Sequence, residues 1–137
     1  SNPSSVELQD MVAGDRVVYT VMGDLIERWG KDTAGKYGYN VLGAVVGATH
    51  PSVLKELRRR LEHTFFLVPG YGAQGGTAAD VRCAFDELGR GAIVNASRSI
   101  MCAWKKTDDT TGRNYQAAAR AEAERMRDDI CRYVTIL

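Results

Sequence analysis

Two strand ends in this chain carry groups suited to holding an anion. The first is Phe65-Phe66-Leu67-Val68-Pro69-Gly70-Tyr71-Gly72-Ala73-Gln74-Gly75-Gly76. A short apolar run of this kind reads as a buried strand. It breaks at Pro69 into a loop with four glycines and one glutamine. Glycine lets backbone N–H groups approach a ligand with no Cβ in the way. Successive N–H groups in such a turn form an anion-binding concavity. A helix is expected from near Thr77, so its positive N-terminal end faces the same loop. The second strand end is Gly91-Ala92-Ile93-Val94-Asn95-Ala96, an apolar run that leads into Ser97-Arg98-Ser99. A guanidinium just past a strand presents a planar fork of donors that matches phosphate oxygens.

Each element alone has a plainer reading. The glycine loop also reads as a tight strand-to-helix turn that binds nothing, and Arg98 as a surface arginine paired with a carboxylate. Their presence at two consecutive strand ends favours phosphate. In barrels of eight βα units the phosphate commonly lies between the loops after the last two strands, beside a short extra helix. Ser99 to Trp104 suits such a helix. The loop is not a Walker loop, because no Gly-Lys-Ser/Thr follows. Nor is it a dinucleotide fingerprint, since the glycine spacing is wrong and no acidic residue ends a following strand at the expected distance.

The elements that must position these groups follow from the apolar spacing. Ser1-Asn2-Pro3-Ser4-Ser5 reads as a loop with Ser4 or Ser5 as an N-cap. Val6 to Ala13 is expected to form a short helix that Gly14-Asp15 stops. Val18, Val21, Met22, Leu25, Ile26 and Trp29 recur at helical spacing, so Arg16 to Trp29 reads as an amphipathic helix, with Gly30 at its C′ position. A polar loop, Lys31 to Asn40, follows. Val41 to Ala48 reads as a strand, and Thr49-His50-Pro51 opens a helix whose buried stripe is Leu54, Leu57 and Leu61. After the Phe65 strand, a helix is expected with Val81, Phe85 and Leu88 on one face. After the Ile93 strand, a last helix from Asn114 to Val134 shows Tyr115, Ala119, Met126, Ile130 and Tyr133 on its apolar face. Three strands without polar alternation belong in a parallel sheet covered on both faces, and alternating β and α elements make the fold α/β.

The totals bound the function classes. The chain has 137 residues and a formal charge of +1, enough for one domain with a core but short of a complete barrel of about 250 residues. The mixed charges give no support to nucleic acid or membrane partners. Arg58-Arg59-Arg60 is the one basic run, and a solvated helix face is its expected place. Cys83, Cys102 and Cys131 are scattered, so no metal site or disulfide framework is expected. Reduced thiols fit a cytoplasmic protein. No stretch reads as a signal peptide or membrane span. His50 and His63 lie at a helix start and a helix end without visible partners, and no catalytic role is expected for them. Trp29 and Trp104 read as packing residues. Tyr71 reads either as a residue over the ligand or as an exposed loop tip.

Taken together, Val45-Val46-Gly47-Ala48-Thr49-His50-Pro51, Phe66 to Gly76 and Val94-Asn95-Ala96-Ser97-Arg98-Ser99-Ile100 resemble orotidine 5′-phosphate decarboxylase, in its longer bacterial subgroup. Ser1 to Ser5 resemble the loop after that family's fifth strand. The resemblance runs through the whole chain in order. It implies that residues 1–137 are the C-terminal half, about strands six to eight, of a (β/α)8 TIM barrel. It implies conversion of orotidine 5′-phosphate to uridine 5′-phosphate (UMP) and carbon dioxide, without cofactor or metal, in pyrimidine biosynthesis. By the same resemblance Gln74 touches the phosphate and the pyrimidine side, and Arg98 grips the phosphate. Amides near Gly75, Gly76 and Ser97 complete the cradle, Ser1 approaches the pyrimidine ring, and Pro69 shapes the loop over the ligand. The family's catalytic Asp-x-Lys-x-x-Asp, whose lysine protonates the carbanion left by carbon dioxide, does not occur in this chain. The expected partners are therefore an N-terminal half carrying that lysine and, for the complete enzyme, a second subunit in a homodimer. Two other readings stand beside this one. One is a non-catalytic phosphate-binding module completed by oligomerisation. The other is a different barrel enzyme for ribulose phosphates that shares the phosphate site.

Overall fold

The computed structural model describes residues 2–109 and 111–135. Its centre is a parallel sheet of three strands in sequential order, β3 (Gly43–Val45), β4 (Phe65–Pro69) and β5 (Ala92–Asn95). The register pairs Ala44 with Phe66, Phe66 with Ala92, and Pro69 with Asn95. The first strand is shorter than its apolar run. Its pairing with β4 nonetheless continues through Val46 N–H to Leu67 O at 3.0 Å and Ala48 N–H to Pro69 O at 2.8 Å. Helix α3 (Pro51–Arg60) returns the chain from β3 to β4, with Pro51 in its first turn. A short helix α4 (Ala78–Val81) follows β4, and α5 (Ser97–Met101) follows β5. The last helix, α6 (Tyr115–Cys131), packs against α4 and α5.

Side chains alternate across the sheet, as the pleat demands. Phe66 and Val68 are fully buried on the helical side, beside Val46, Ala48, Leu54, Leu57, Leu61 and Val81. Burying a side chain the size of Phe66 contributes about 2–3 kcal/mol. The opposite face is open. Val45, Leu67 and Ile93 stand in register across it and are 70%, 38% and 57% exposed. The expected cover on both faces is therefore found on one face only among the described residues.

Several local expectations give way to competing hydrogen bonds. The first helix stops early. A 3-10 turn (Pro3–Ser5) runs into α1 (Val6–Gln9), and β1 (Val12–Ala13) then pairs antiparallel with β2 (Arg16–Val17). Gly14 has φ +71° at the first position of the two-residue turn, the place where such hairpins require glycine. The amphipathic helix α2 (Val18–Gly30) accordingly begins at Val18 rather than Arg16. Trp29 on it is 56% exposed and is not a packing residue. α4 does not continue to Leu88. Asp86 Oδ1 accepts the Leu88 and Arg90 N–H groups at 2.9 and 2.8 Å, and Tyr39 donates to Oδ2 at 2.8 Å. An aspartate that captures nearby amides offers the backbone an alternative to helix. The chain therefore leaves through a 3-10 turn (Arg82–Ala84), and Leu88 is 39% exposed. The short helix after β5 starts at Ser97, two residues early, and a 3-10 turn (Ala103–Lys106) extends it. α6 buries Ala118 and Met126, while Tyr115 and Tyr133 face solvent.

The largest correction concerns the basic run. Arg59 is exposed and Arg60 pairs with Asp24 on α2 through both ends of its fork, at 2.5 and 2.6 Å. Arg58 is buried. Its guanidinium donates to the carbonyls of Thr64 at 2.9 Å, Gly91 at 3.2 Å, Ala84 at 3.5 Å and Leu61, and lies 4.2 Å from the Phe66 ring centre. Burial lowers its pKa, and the neighbouring Tyr39, Glu27, Asp86 and Glu62 oppose that. One side chain thus ties the end of α3 to the entries of β4 and β5. Replacing it strips a charged donor from these buried carbonyls. Arg58→Met is expected to cost about 3 kcal/mol in urea denaturation, against less than about 0.5 for Arg59→Met. Equal effects would contradict this placement.

Candidate functional site

Because Pro69 pairs with Asn95, β4 and β5 end at the same level. Their two loops leave side by side and enclose a cavity of about 190 Å³. Gln74 and Arg98 both line it, with Pro69, Gly70, Ser97 and Ser99. Both expected phosphate contacts thus reach one space. Among the described residues no carboxylate lines that space. Arg98 forms no ion pair among the described residues, so the surface-pair reading of this arginine does not hold.

Local sequence explains the loop shapes. Thr77 caps α4 with a reciprocal box: Asp80 N–H to Thr77 Oγ1 at 3.2 Å and Thr77 N–H to Asp80 Oδ2 at 2.8 Å. These bonds hold the Asp80 carboxyl below its usual range, the Thr77 hydroxyl first among them. Gly76 is required by space. A Cβ there would stand 2.7 Å from Gly70 O and 2.8 Å from the Ala48 Cβ. Gly72, at φ +75°, faces Ser99, and a Cβ on it would lie 3.0 Å from the Ser99 Oγ. On the other side Asn95 Oδ1 accepts the Ser97 N–H at 3.2 Å and the Ser97 hydroxyl at 2.9 Å. That fixes the start of α5. Asn95 was legible as the first residue of such a turn.

The expected amide cradle differs in detail. Gly75 N–H bonds Gly72 O at 2.8 Å and Gly76 N–H bonds Gly70 O at 3.0 Å, while Ser97 N–H is held by Asn95. These amides shape the loops rather than face the cavity. The Arg98 and Ser99 N–H groups fall in the first turn of α5, where no intrahelical acceptor exists. Tyr71 also lines the cavity and is not an exposed loop tip. It is 5% exposed, and its hydroxyl donates to Asp129 Oδ2 at 2.7 Å. Ser1 lies outside the described residues. Its neighbour Asn2 lines a separate, larger groove of about 590 Å³ with Thr49 and His50, past the end of β3. His50 precedes α3 without capping it, and His63 Nδ1 lies 2.9 Å from Gly38 O. Among the described residues no group of three His, Cys, Asp or Glu side chains is placed to hold a metal, and no helix is long and apolar enough to cross a membrane.

The chain is similar to known proteins over nearly its whole length. An orotidine 5′-phosphate decarboxylase of Clostridium perfringens is 45% identical over 131 residues, 95% of this chain. One from Rhodopirellula baltica is 41% identical over 133 residues. The chain belongs to the orotidine 5′-phosphate decarboxylase family. It spans about half the length of these curated relatives, 45% and 44% respectively. The solved OMP decarboxylase of Leishmania donovani superposes with a TM-score of 0.66 at 30% identity, covering 94% of this chain and 45% of that one. The UMP synthase of the same organism gives 0.68 at 32%, covering 95% and 26%. No family model matches the chain. Against these decarboxylases the three βα units are an arc of a (β/α)8 barrel, and the open sheet face corresponds to a barrel interior.

The loop geometry makes an unequal pair of glycine replacements. Gly76→Ala meets backbone and Ala48, and is expected to cost about 2 kcal/mol by overpacking. At Gly75, φ is +95° with open space around it, so Gly75→Ala pays only the left-handed strain of about 1 kcal/mol. Urea denaturation of both variants checks the order.

Proposed function

We propose that residues 1–137 form the C-terminal half of an orotidine 5′-phosphate decarboxylase and supply its phosphate grip. The reaction is decarboxylation of orotidine 5′-phosphate to UMP in pyrimidine biosynthesis, in a cytoplasmic homodimer. One observation carries the reading: Gln74 and Arg98, from adjoining strand ends, line a single cavity that no carboxylate of the described residues enters, in a chain 45% identical to named decarboxylases. In the reading, Arg98 and the first-turn amides of α5 take the phosphate oxygens, and Gln74 bridges phosphate and base. Pro69, Ser97 and the glycines Gly75 and Gly76 hold the loops in shape, and Ser1 approaches the pyrimidine.

A phosphate grip acts on rate as well as affinity. Binding energy from a non-reacting group can be expressed in the transition state. An arginine contact with supporting amides supplies roughly 3–6 kcal/mol, at about 1.5–3 per charged hydrogen bond. The proton donor must come from elsewhere, because no Asp-x-Lys-x-x-Asp occurs in the chain. The open sheet face suits the rest of the barrel as its source. Val45, Leu67 and Ile93 are apolar and exposed, and β3 and β5 are both edge strands. Unpaired edges beside an apolar face favour association.

Two measurements test the reading. Titration with UMP is expected to saturate the chain, and Arg98→Met to weaken it by about 2 kcal/mol, near 30-fold. Equal binding of UMP and inorganic phosphate would instead support the non-catalytic module. Mixing the chain with a segment supplying the remaining barrel strands is expected to give turnover of orotidine 5′-phosphate. A soluble, assembled pair that stays inactive at saturating substrate would overturn the enzymatic half of the reading.

A further inference from the structure

We propose that Tyr71 and Asp129 are positioning residues for the phosphate site, their hydrogen bond setting the loop that bears Gln74 against the helix that bears Arg98. The inference rests on the phosphate reading of the cavity. Tyr71 lies inside the glycine loop, three residues before Gln74. Its ring is buried, and its hydroxyl donates to Asp129 Oδ2, 58 residues later on α6. The same helix packs against α5, whose second residue is Arg98. α6 therefore holds both walls of the cavity: one by packing, the other by this hydrogen bond.

The walls meet next to the bond. Gly72 follows Tyr71, and the space beside its Cα is closed by the Ser99 Oγ, one residue from Arg98. A shift of Tyr71 carries Gly72 toward or away from Ser99 and changes the width of the cavity between Gln74 and Arg98. Buried tyrosine hydroxyls need a partner, but packing alone does not require a charged one. A carboxylate acceptor makes a shorter and stronger bond than a neutral oxygen. Arg125, forked onto Glu122 at 2.8 Å through both nitrogens, and Arg132, 3.8 Å from Asp129, supply positive charge around the pair. Burial, then the Asp129 bond, raises the Tyr71 pKa, so the hydroxyl remains a donor at neutral pH.

The test titrates the chain with inorganic phosphate and follows the Gly72 and Ser99 amides by NMR. Tyr71→Phe keeps the ring and removes the donor; it is expected to weaken phosphate about tenfold, as is Asp129→Leu. Asp129→Asn keeps an acceptor oxygen without the charge and is expected to weaken phosphate by only about threefold. The double variant Tyr71→Phe/Asp129→Leu should be no weaker than either single one, since both remove one bond. A wild-type chain that binds phosphate while Tyr71→Phe binds as tightly, whatever its melting temperature, overturns this proposal and leaves the site reading intact. A wild-type chain that takes no phosphate overturns the site reading itself, and this proposal with it.

Discussion

The parallel register that sets Pro69 opposite Asn95 is the constraint on which the rest of the molecule turns. A parallel sheet has no tight hairpins, so each strand end must hand the chain to a helix on the covered face. Two neighbouring strands of matched length then release their loops at one level. A shift of one residue would turn Phe66 and Val68 to the open face and Leu67 into the core. It would also separate the glycine loop from Arg98. The same alternation that buries Phe66 therefore aligns the two walls of the cavity.

Stability and site occupy opposite ends of this sheet. At the amino end, Arg58 collects carbonyls from the entries of two strands and the turn before them. At the carboxyl end, the loops are held by small, local devices: the Thr77–Asp80 box, the Asn95–Ser97 turn and the close approach at Gly76. Barrels generally keep stability at the amino face and chemistry at the carboxyl face. Here the division is visible in residue types. The amino end uses a long charged side chain bound to buried carbonyls. The carboxyl end uses glycine, serine and asparagine, which leave room.

How much of this could be read from the sequence depends on how far apart the interacting residues are. The three strands, the helix after Pro51 and the cap at Thr77 were legible, because each rests on spacing within a few residues. The convergence of Gln74 and Arg98 was legible too, since consecutive parallel strands end side by side. Arg58 was misread, although the signal was present. Leu54, Leu57, Arg58 and Leu61 fall at i, i+3, i+4 and i+7, so the arginine sits on the buried stripe. The charge of Arg58 argues for solvent and its helical position for the core, and position prevails. The early end of α4 was written in Asp86 and Gly89, which favour a turn over continued helix. Tyr71 was not legible, because its partner lies 58 residues away and nothing local identifies it.

The open face sets what this chain can be. Val45, Leu67 and Ile93 present branched apolar side chains on a surface flanked by two unpaired strand edges. Such a surface is unfavourable in water both for its apolar area and for the backbone groups at its margins. A helix laid across it would cover the face but leave the edges. A second sheet segment, joined edge to edge, satisfies both at once and curves the face inward, as a barrel does. That geometry also suits the division of chemistry. The cavity walls lie at the carboxyl ends of strands already present, and a closing segment would add its own strand ends to the same rim. On the proposed reading, a side chain there could reach the base of a nucleotide whose phosphate lay between Gln74 and Arg98. In the proposed decarboxylase, the strands that would cover this face would also bring the proton donor to the rim.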